Sequence, residues 1–288
     1  MSLVREIKKE YNEIASVGEL TSAFENIAST RIQQIKDKVL SSKDFFAELW
    51  YIYSQLRVLP KEGITHTTFY TTPKNNKEAV IVLTSKGKLS GDIDIKIINK
   101  LLEEVDPNAV DIISVGSHGK LLLNERGYST EKSFIVPEGE YLDYVNEIID
   151  FITPYSKISV YYETYISLAV QDVKKIDLIF AVKELSKEEV RSKKNEELIH
   201  KEDYIFEPSY QEVITYMESI MLKIALSQVL LESELAQQAS RFKAMHFARD
   251  RANEIRDDLG HKYNKARRSE KDSRLREVIY SLNSLLKK

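Results

Sequence analysis

The chain has 288 residues, 42% hydrophobic and 30% charged, with a net charge of −3 and no cysteine. That length gives one or two domains with enough apolar content for a core, and the missing cysteines exclude disulfides, thiolate metal sites and cysteine nucleophiles. No apolar run approaches the roughly eighteen residues of a membrane span, and the acidic, lysine-rich start has no apolar signal core, so the composition reads as a soluble, cytoplasmic chain.

All six prolines lie between Pro60 and Pro208, and the only glycines outside that window are Gly18 and Gly260. Proline costs about 3 kcal/mol inside a helix and glycine about 1 kcal/mol, so both chain ends can be continuous helices. The first, from about Leu3 to Leu56, would span roughly 80 Å. Its apolar stripe reads Leu3, Ile7, Tyr11, Ile14, Val17, then Phe24, Ile27, Ile35 and Val39. In the middle, the runs 79–83 (AVIVL), 110–115 (VDIISV), 157–163 (KISVYYE) and 176–182 (IDLIFAV) suit buried strands. Residues 92–104 and 138–152 place apolar side chains at helical spacing between them. Alternating strands and helices predict an α/β domain on a largely parallel sheet, with segments 158–170 and 176–182 adding an antiparallel hairpin at one edge.

The last helix, from about Ser209 to Leu286, would span roughly 115 Å. Its stripe runs Leu235, Ala239, Phe242, Met245, Ala248, Ala252, Ile255, Leu259, Tyr263, Ala266, close to the 3.5-residue seam of a left-handed coiled coil. Neither end fits inside a globule, and each exposes a stripe that needs a mate. The expected fold class is therefore α/β: two long terminal helices in an antiparallel coiled coil plus an inserted Rossmann-like α/β domain. The expected division is 1–59 and 208–288 for the helices and 60–207 for the insertion.

The chemistry of a nucleotide enzyme is missing. The segment TSKGKLSG (Thr84 to Gly91) stands where a phosphate loop would, after a strand and before a helix, but it lacks GxxxxGK[ST] and GxGxxG spacing. It reads as a tight turn, with Ser90 or Asp92 capping the helix. Asp92 and Asp94 are two apart and diverge on a helix, so capping explains them better than a metal pair. The histidines (His66, His118, His200, His246, His261) show neither HxxxH nor HxH spacing and no catalytic context. No catalytic, cofactor-binding or metal-binding residue is expected.

Charge is uneven along the chain. Residues 260–288 carry nine Lys or Arg against three acids, an excess of six. Two readings stand side by side: a solvated helix face stapled by i, i+4 pairs, or a surface shaped for acidic partners.

Both ends also carry a family resemblance. IKKEYNEI (Ile7 to Ile14) and LTSAFENIASTRI (Leu20 to Ile32) resemble the N-terminal helix of the gamma subunit of F-type ATP synthases, matching at Ile7, Thr21, Ala23, Glu25 and Ala28 and conservatively at Lys8, Lys9 and Arg31. YIFEPS (Tyr204 to Ser209) looks like that family's entry into its long helix; ASRFKAM (Ala239 to Met245), Ala248, Ala252 and YNKAR (Tyr263 to Arg267) are similar to segments further along it. TSKGKLSG resembles a family turn that is not a catalytic phosphate loop. The departures gather at Arg268, Lys271, Asp272, Arg274, Tyr280 and Ser281, with Gln237 and Arg251 at other altered positions.

The resemblance implies a central rotor shaft that hydrolyses nothing itself. It would be surrounded by alpha- and beta-type catalytic-head subunits, and would meet an epsilon-type subunit and a membrane ring through the globular insertion. Implied head contacts are Lys8, Lys9, Arg31, Arg267, Arg268, Lys271 and Arg274, and the implied bearing tip is Val278, Ile279, Leu282, Leu285 and Leu286. The complex would sit peripherally on the cytoplasmic face of the membrane, with no nucleic acid bound and membrane association only through the complex. Two other functions stay open from the sequence: the shaft of a paralogous rotary ATPase driving something other than a proton ring, and a coiled-coil nucleic-acid or scaffold protein.

Overall fold

A computed structural model describes residues 3–58, 75–87, 89–137, 141–178 and 205–285. In chain order the elements are α1 (Leu3–Val58), β1 (Asn75–Leu83), α2 (Ile93–Glu104), β2 (Asp111–Val115), α3 (Ser117–Glu125), β3 (Lys132–Phe134), α4 (Tyr141–Ile152), β4 (Tyr155–Tyr165), β5 (Gln171–Asp177) and α5 (Tyr210–Leu285). They form two compact units: Met1–Ala28 with Phe242–Lys288, and Ser29–Arg241.

In the larger unit the five strands make one sheet in the order β3-β2-β1-β4-β5. β3, β2, β1 and β4 are parallel, and β5 is antiparallel to β4. Central β1 is buried on both faces: Ala79, Ile81 and Leu83 enter one core while Val80 and Val82 enter the other. The second core is completed by Ile97, Ile98 and Leu101 of α2 and Leu122 and Leu123 of α3. The first is larger and takes in Val145, Ile148 and Ile152 of α4, Phe46 and Tyr53 of α1, and the α5 stretch from Ile214 to Leu230. Fully buried Tyr53 donates its hydroxyl to Glu218 of α5 at 2.6 Å, which gives that buried carboxylate a partner.

That stretch of α5 is the one place where composition alone misleads. One 18-residue window has a mean hydropathy of 1.4, long and apolar enough to cross a membrane, against the expectation that no run comes close; 67% of it is buried within the protein. Residues 225–231 are buried all round, as a helix enclosed by a core should be.

Several expectations shift. The edge strand expected over 176–182 begins at Gln171, and only Ile176 and Asp177 of that run lie in it; residues after 178 fall outside the described residues. Its partner ends at Tyr165 instead of 170. β5 reads QDVKKID because an edge strand needs only one apolar face, and its lysines also blunt the exposed edge. α3 and β3 are additional: both are short, and SHGKLLLNE and KSF offer little periodicity. α3 is admitted by two glycines. Gly116 has φ +104, and a Cβ there would lie 2.1 Å from the Thr84 carbonyl oxygen; one on Gly119 would meet the Thr84 hydroxyl at 2.6 Å.

The smaller unit is an antiparallel helix pair. Gly18 faces Ala252, Tyr11 faces Gly260, and Glu25 meets His246 and Arg249. On α5 every residue of the expected seam from Leu235 to Ala266 is buried or half-buried. On α1 the seam slips by one residue. The inward positions are Ile7, Ile14, Gly18, Thr21, Glu25 and Ala28, continuing in the larger unit as Ile32, Ile35 and Val39, while Leu3, Tyr11, Val17, Phe24 and Ile27 are exposed. Small and polar residues hold the inward positions because they allow close helix approach, so hydrophobicity alone points to the wrong stripe.

Two glycine replacements separate these packing arguments. Gly116→Ala should lose about 1–3 kcal/mol, because it forces a side chain into a left-handed conformation and against the Thr84 carbonyl. Gly260→Ala should gain about 0.5–1 kcal/mol, because a Cβ there meets only the Tyr11 ring, at 3.7 Å. Chemical denaturation of the full chain measures both.

Candidate functional site

The turn after β1, where a phosphate loop would stand, is occupied by the protein's own anion. Asp94, fully buried in the first turn of α2, accepts the Ser85 backbone N–H on Oδ1 at 2.9 Å, and the Ser85 hydroxyl on Oδ2 at 2.5 Å. His118 Nδ1 lies 2.7 Å from the same Oδ2. The expected caps are not made: Asp92 stands at the N-cap position without a side-chain cap bond, and the buried Ser90 hydroxyl has no hydrogen-bond partner. Asp92 instead pairs with Lys96 at 2.9 Å. The geometry also argues against nucleophilic chemistry, because the acid sits between Ser85 and His118 and no histidine reaches the serine. Among the described residues no cluster of His, Asp or Glu could hold a metal ion. His261 is exposed, and His66 and His200 lie outside the described residues.

The helix pair carries the surfaces that can meet other chains. Its interior is pinned by an ionic knot: Arg249 Nη1 donates to Glu25 at 2.6 Å, and His246 Nδ1 lies 3.0 Å from the other Glu25 oxygen. His246 stacks on Phe242 with ring centroids 6.2 Å apart. Around this knot the apolar residues left out of the seam, Val17, Leu20, Phe24 and Ile27, stand in a second 3-4-3 stripe on α1, and Phe247 is exposed on α5. Sequence reasoning assigned three of these four to the seam and passed over Leu20. The signal that separates them is the parallel run Gly18, Thr21, Glu25, Ala28, one residue out of phase.

With Tyr11 against Gly260 and Gly18 against Ala252, Leu3, the first described residue of α1, falls opposite about position 268. Residues 271–283 are exposed on every side, for roughly 20 Å of helix. The expected bearing residues Val278, Ile279 and Leu282 are in this segment, each about half exposed. Leu285 ends the helix and Leu286 lies outside the described residues.

The expected basic contacts are all exposed. Lys9 pairs with Glu13 at 3.6 Å, Arg31 donates to Gln34 at 3.3 Å, and Arg274 pairs with Glu270 at 2.7 Å. Lys8, Arg267, Arg268 and Lys271 make no ion pair among the described residues, and within 260–288 it is Arg274 that makes an i, i+4 pair there. Exposed pairs of that kind contribute at most about 1 kcal/mol and exchange readily for a partner's carboxylate.

One unit is a helix pair whose α5 end is exposed, basic and apolar; the other is an α/β sheet unit in which no cluster of His, Asp and Glu for a metal stands among the described residues. The family model for ATP synthase matches residues 3–285, and the chain belongs to that family. Similar curated proteins include the ATP synthase gamma chains of Lachnoclostridium phytofermentans, 26% identical over 99% of this chain and 100% of the relative, and of Flavobacterium psychrophilum, 24% identical over 99% of each. Among solved structures, the rotor of the Euglena gracilis mitochondrial ATP synthase has the same fold, with a TM-score of 0.62 at 13% identity over 92% of this chain and 98% of that one.

Glu25→Ala should destabilise the helix pair by about 1–3 kcal/mol, since Arg249 loses a charge-assisted partner. Adding Arg249→Ala should recover part of the loss, and urea unfolding of both variants closes the cycle.

Proposed function

We propose that this chain is the central-stalk gamma subunit of a rotary ATP synthase, transmitting rotation between a catalytic head and a membrane ring without catalysing anything itself. The observation that carries the reading is the exposed end of α5, residues 271–283. Because the shaft is asymmetric, each orientation favours different conformations of the surrounding head subunits, and nucleotide binding and rotation become linked through those differential contacts.

By function the chain divides into an N-terminal coiled-coil helix (1–59), an α/β foot (60–207) and a C-terminal helix (208–288). Arg267 and Arg268 offer planar guanidinium groups to acidic loops of a catalytic subunit, with Lys8, Lys9, Arg31, Lys271 and Arg274 around them. The apolar stripe Val17, Leu20, Phe24, Ile27 supplies area for the same head contact, and Val278, Ile279 and Leu282 form the tip that turns in a hydrophobic bearing. An epsilon-type subunit meets the α/β foot. The chain reaches the membrane only through the complex, on its cytoplasmic face.

Replacing Arg267 and Arg268 together by alanine should leave assembly with the head subunits intact and lower coupled ATPase turnover under load, on the order of tenfold for the loss of two charge-assisted contacts. Copurification and proton-pumping rates check this. Unchanged pumping would remove these arginines from the contact, and failure of the wild-type chain to assemble with head subunits would remove the shaft reading.

A further inference from the structure

In open α/β sheets, ligands bind in the crevice outside the carboxyl ends of the strands, where the strand order reverses. Here the reversal falls between β1 and β4, and α5 meets it with polar side chains. Ser233 Oγ donates to Glu163 Oε2 at 2.5 Å and Gln237 Nε2 donates to the same oxygen at 3.2 Å. Ser240 Oγ donates to the Ser90 carbonyl at 2.6 Å, and the Thr164 hydroxyl bonds to Glu232. The helix thus takes the place of a ligand.

Glu163 is the centre of that junction and is fully buried. Among the described residues it has no cationic partner and its Oε1 no hydrogen-bond partner, and its own backbone N–H is the one further donor that acts on the carboxyl. Asp94 is the buried charge that acts on it, and both oxygens of Asp94 are already committed to Ser85 and His118. The other charged or titratable groups around the junction are Lys86 after β1, Asp172 and Lys174 beside its β5 neighbour Val173, and Glu232, Glu234 and Arg241 on α5. An unpaired neutral hydroxyl in such a place costs far less than an uncompensated buried carboxylate.

We propose that Glu163 is held as the neutral acid and that its proton is the latch that keeps α5 seated on the carboxyl end of the sheet. Burial first, and then the Asp94 charge, push its titration well above the usual carboxylate range, outweighing the donors Ser233 and Gln237 that lower it. Because the folded-state value is raised, the stabilisation is complete below the ordinary carboxylate value of about 4.3 and is lost as pH rises toward the folded value. For one proton the opening constant rises about tenfold per pH unit across that window. The shaft reading enters only in the consequence: a deprotonated latch would soften the joint between foot and helix.

Hydrogen exchange of α5 peptides covering residues 229–241, on the full chain between pH 5 and 9 and corrected for intrinsic exchange, tests the proposal. The wild type should open about tenfold more per pH unit over part of that range, Glu163→Gln should stay flat, and a carbon NMR titration should show a side-chain carboxyl, missing from the variant, that titrates above the ordinary carboxylate range. If Glu163→Gln does not fold, Ser233→Ala serves instead: removing a donor that favours the anion raises the folded-state value, so the rise in opening should level off at higher pH. A flat wild type, parallel profiles, a Glu163 carboxyl that titrates in the ordinary range or an unmoved levelling-off in Ser233→Ala would each overturn the latch. Since no head subunit takes part, such a result leaves the shaft reading standing, just as failed assembly would leave the latch.

Discussion

Everything in this molecule depends on α5 remaining one helix from Tyr210 to Leu285. Its first third is enclosed in the core of the larger unit, its middle bonds to the carboxyl ends of the strands, its next stretch forms the seam with α1, and its end stands bare. Each environment demands a different surface, and the sequence changes accordingly, from apolar all round, to serine and glutamine, to a 3.5-residue stripe, to a charged rod. The backbone condition is the same throughout. No proline falls within it, and its single glycine, Gly260, costs only about 1 kcal/mol.

The sheet domain is organised around the same helix. An α/β sheet of this topology has a crevice at its switch point that other proteins give to nucleotides. Here the turn after β1 folds onto Asp94, and the crevice beside it takes Ser233 and Gln237. With its own carboxylate where a phosphate would lie, the domain has become a socket for a helix. That explains how an α/β domain can lack every nucleotide motif and still keep polar, buried groups at its carboxyl edge.

The sequence made the large features legible because they rest on exclusion and period: the confinement of prolines to the middle predicts two long helices, and the α5 seam from Leu235 to Ala266 is buried or half-buried at every position. The α1 seam was hidden because Gly18, Thr21, Glu25 and Ala28 earn their inward positions by size and charge pairing, while the more hydrophobic Val17, Phe24 and Ile27 stay outside. Glu163 was invisible for a related reason: a glutamate in KISVYYE carries no motif, and its meaning comes from Ser233 and Asp94, which are distant in sequence. The basic contacts near Arg267 were visible as charge and as family likeness, and an exposed surface adds little until its partner is present.

The account is tested most directly by rotation. A probe attached at the exposed β4–β5 turn, at Leu168, in a complex assembled with the head subunits should turn in one direction when ATP is supplied, and should stop turning in a chain truncated after Arg268. A head that hydrolyses ATP while the probe stays fixed, or a truncated chain that turns with full torque, would contradict the reading of α5 as a single driving shaft with a working tip.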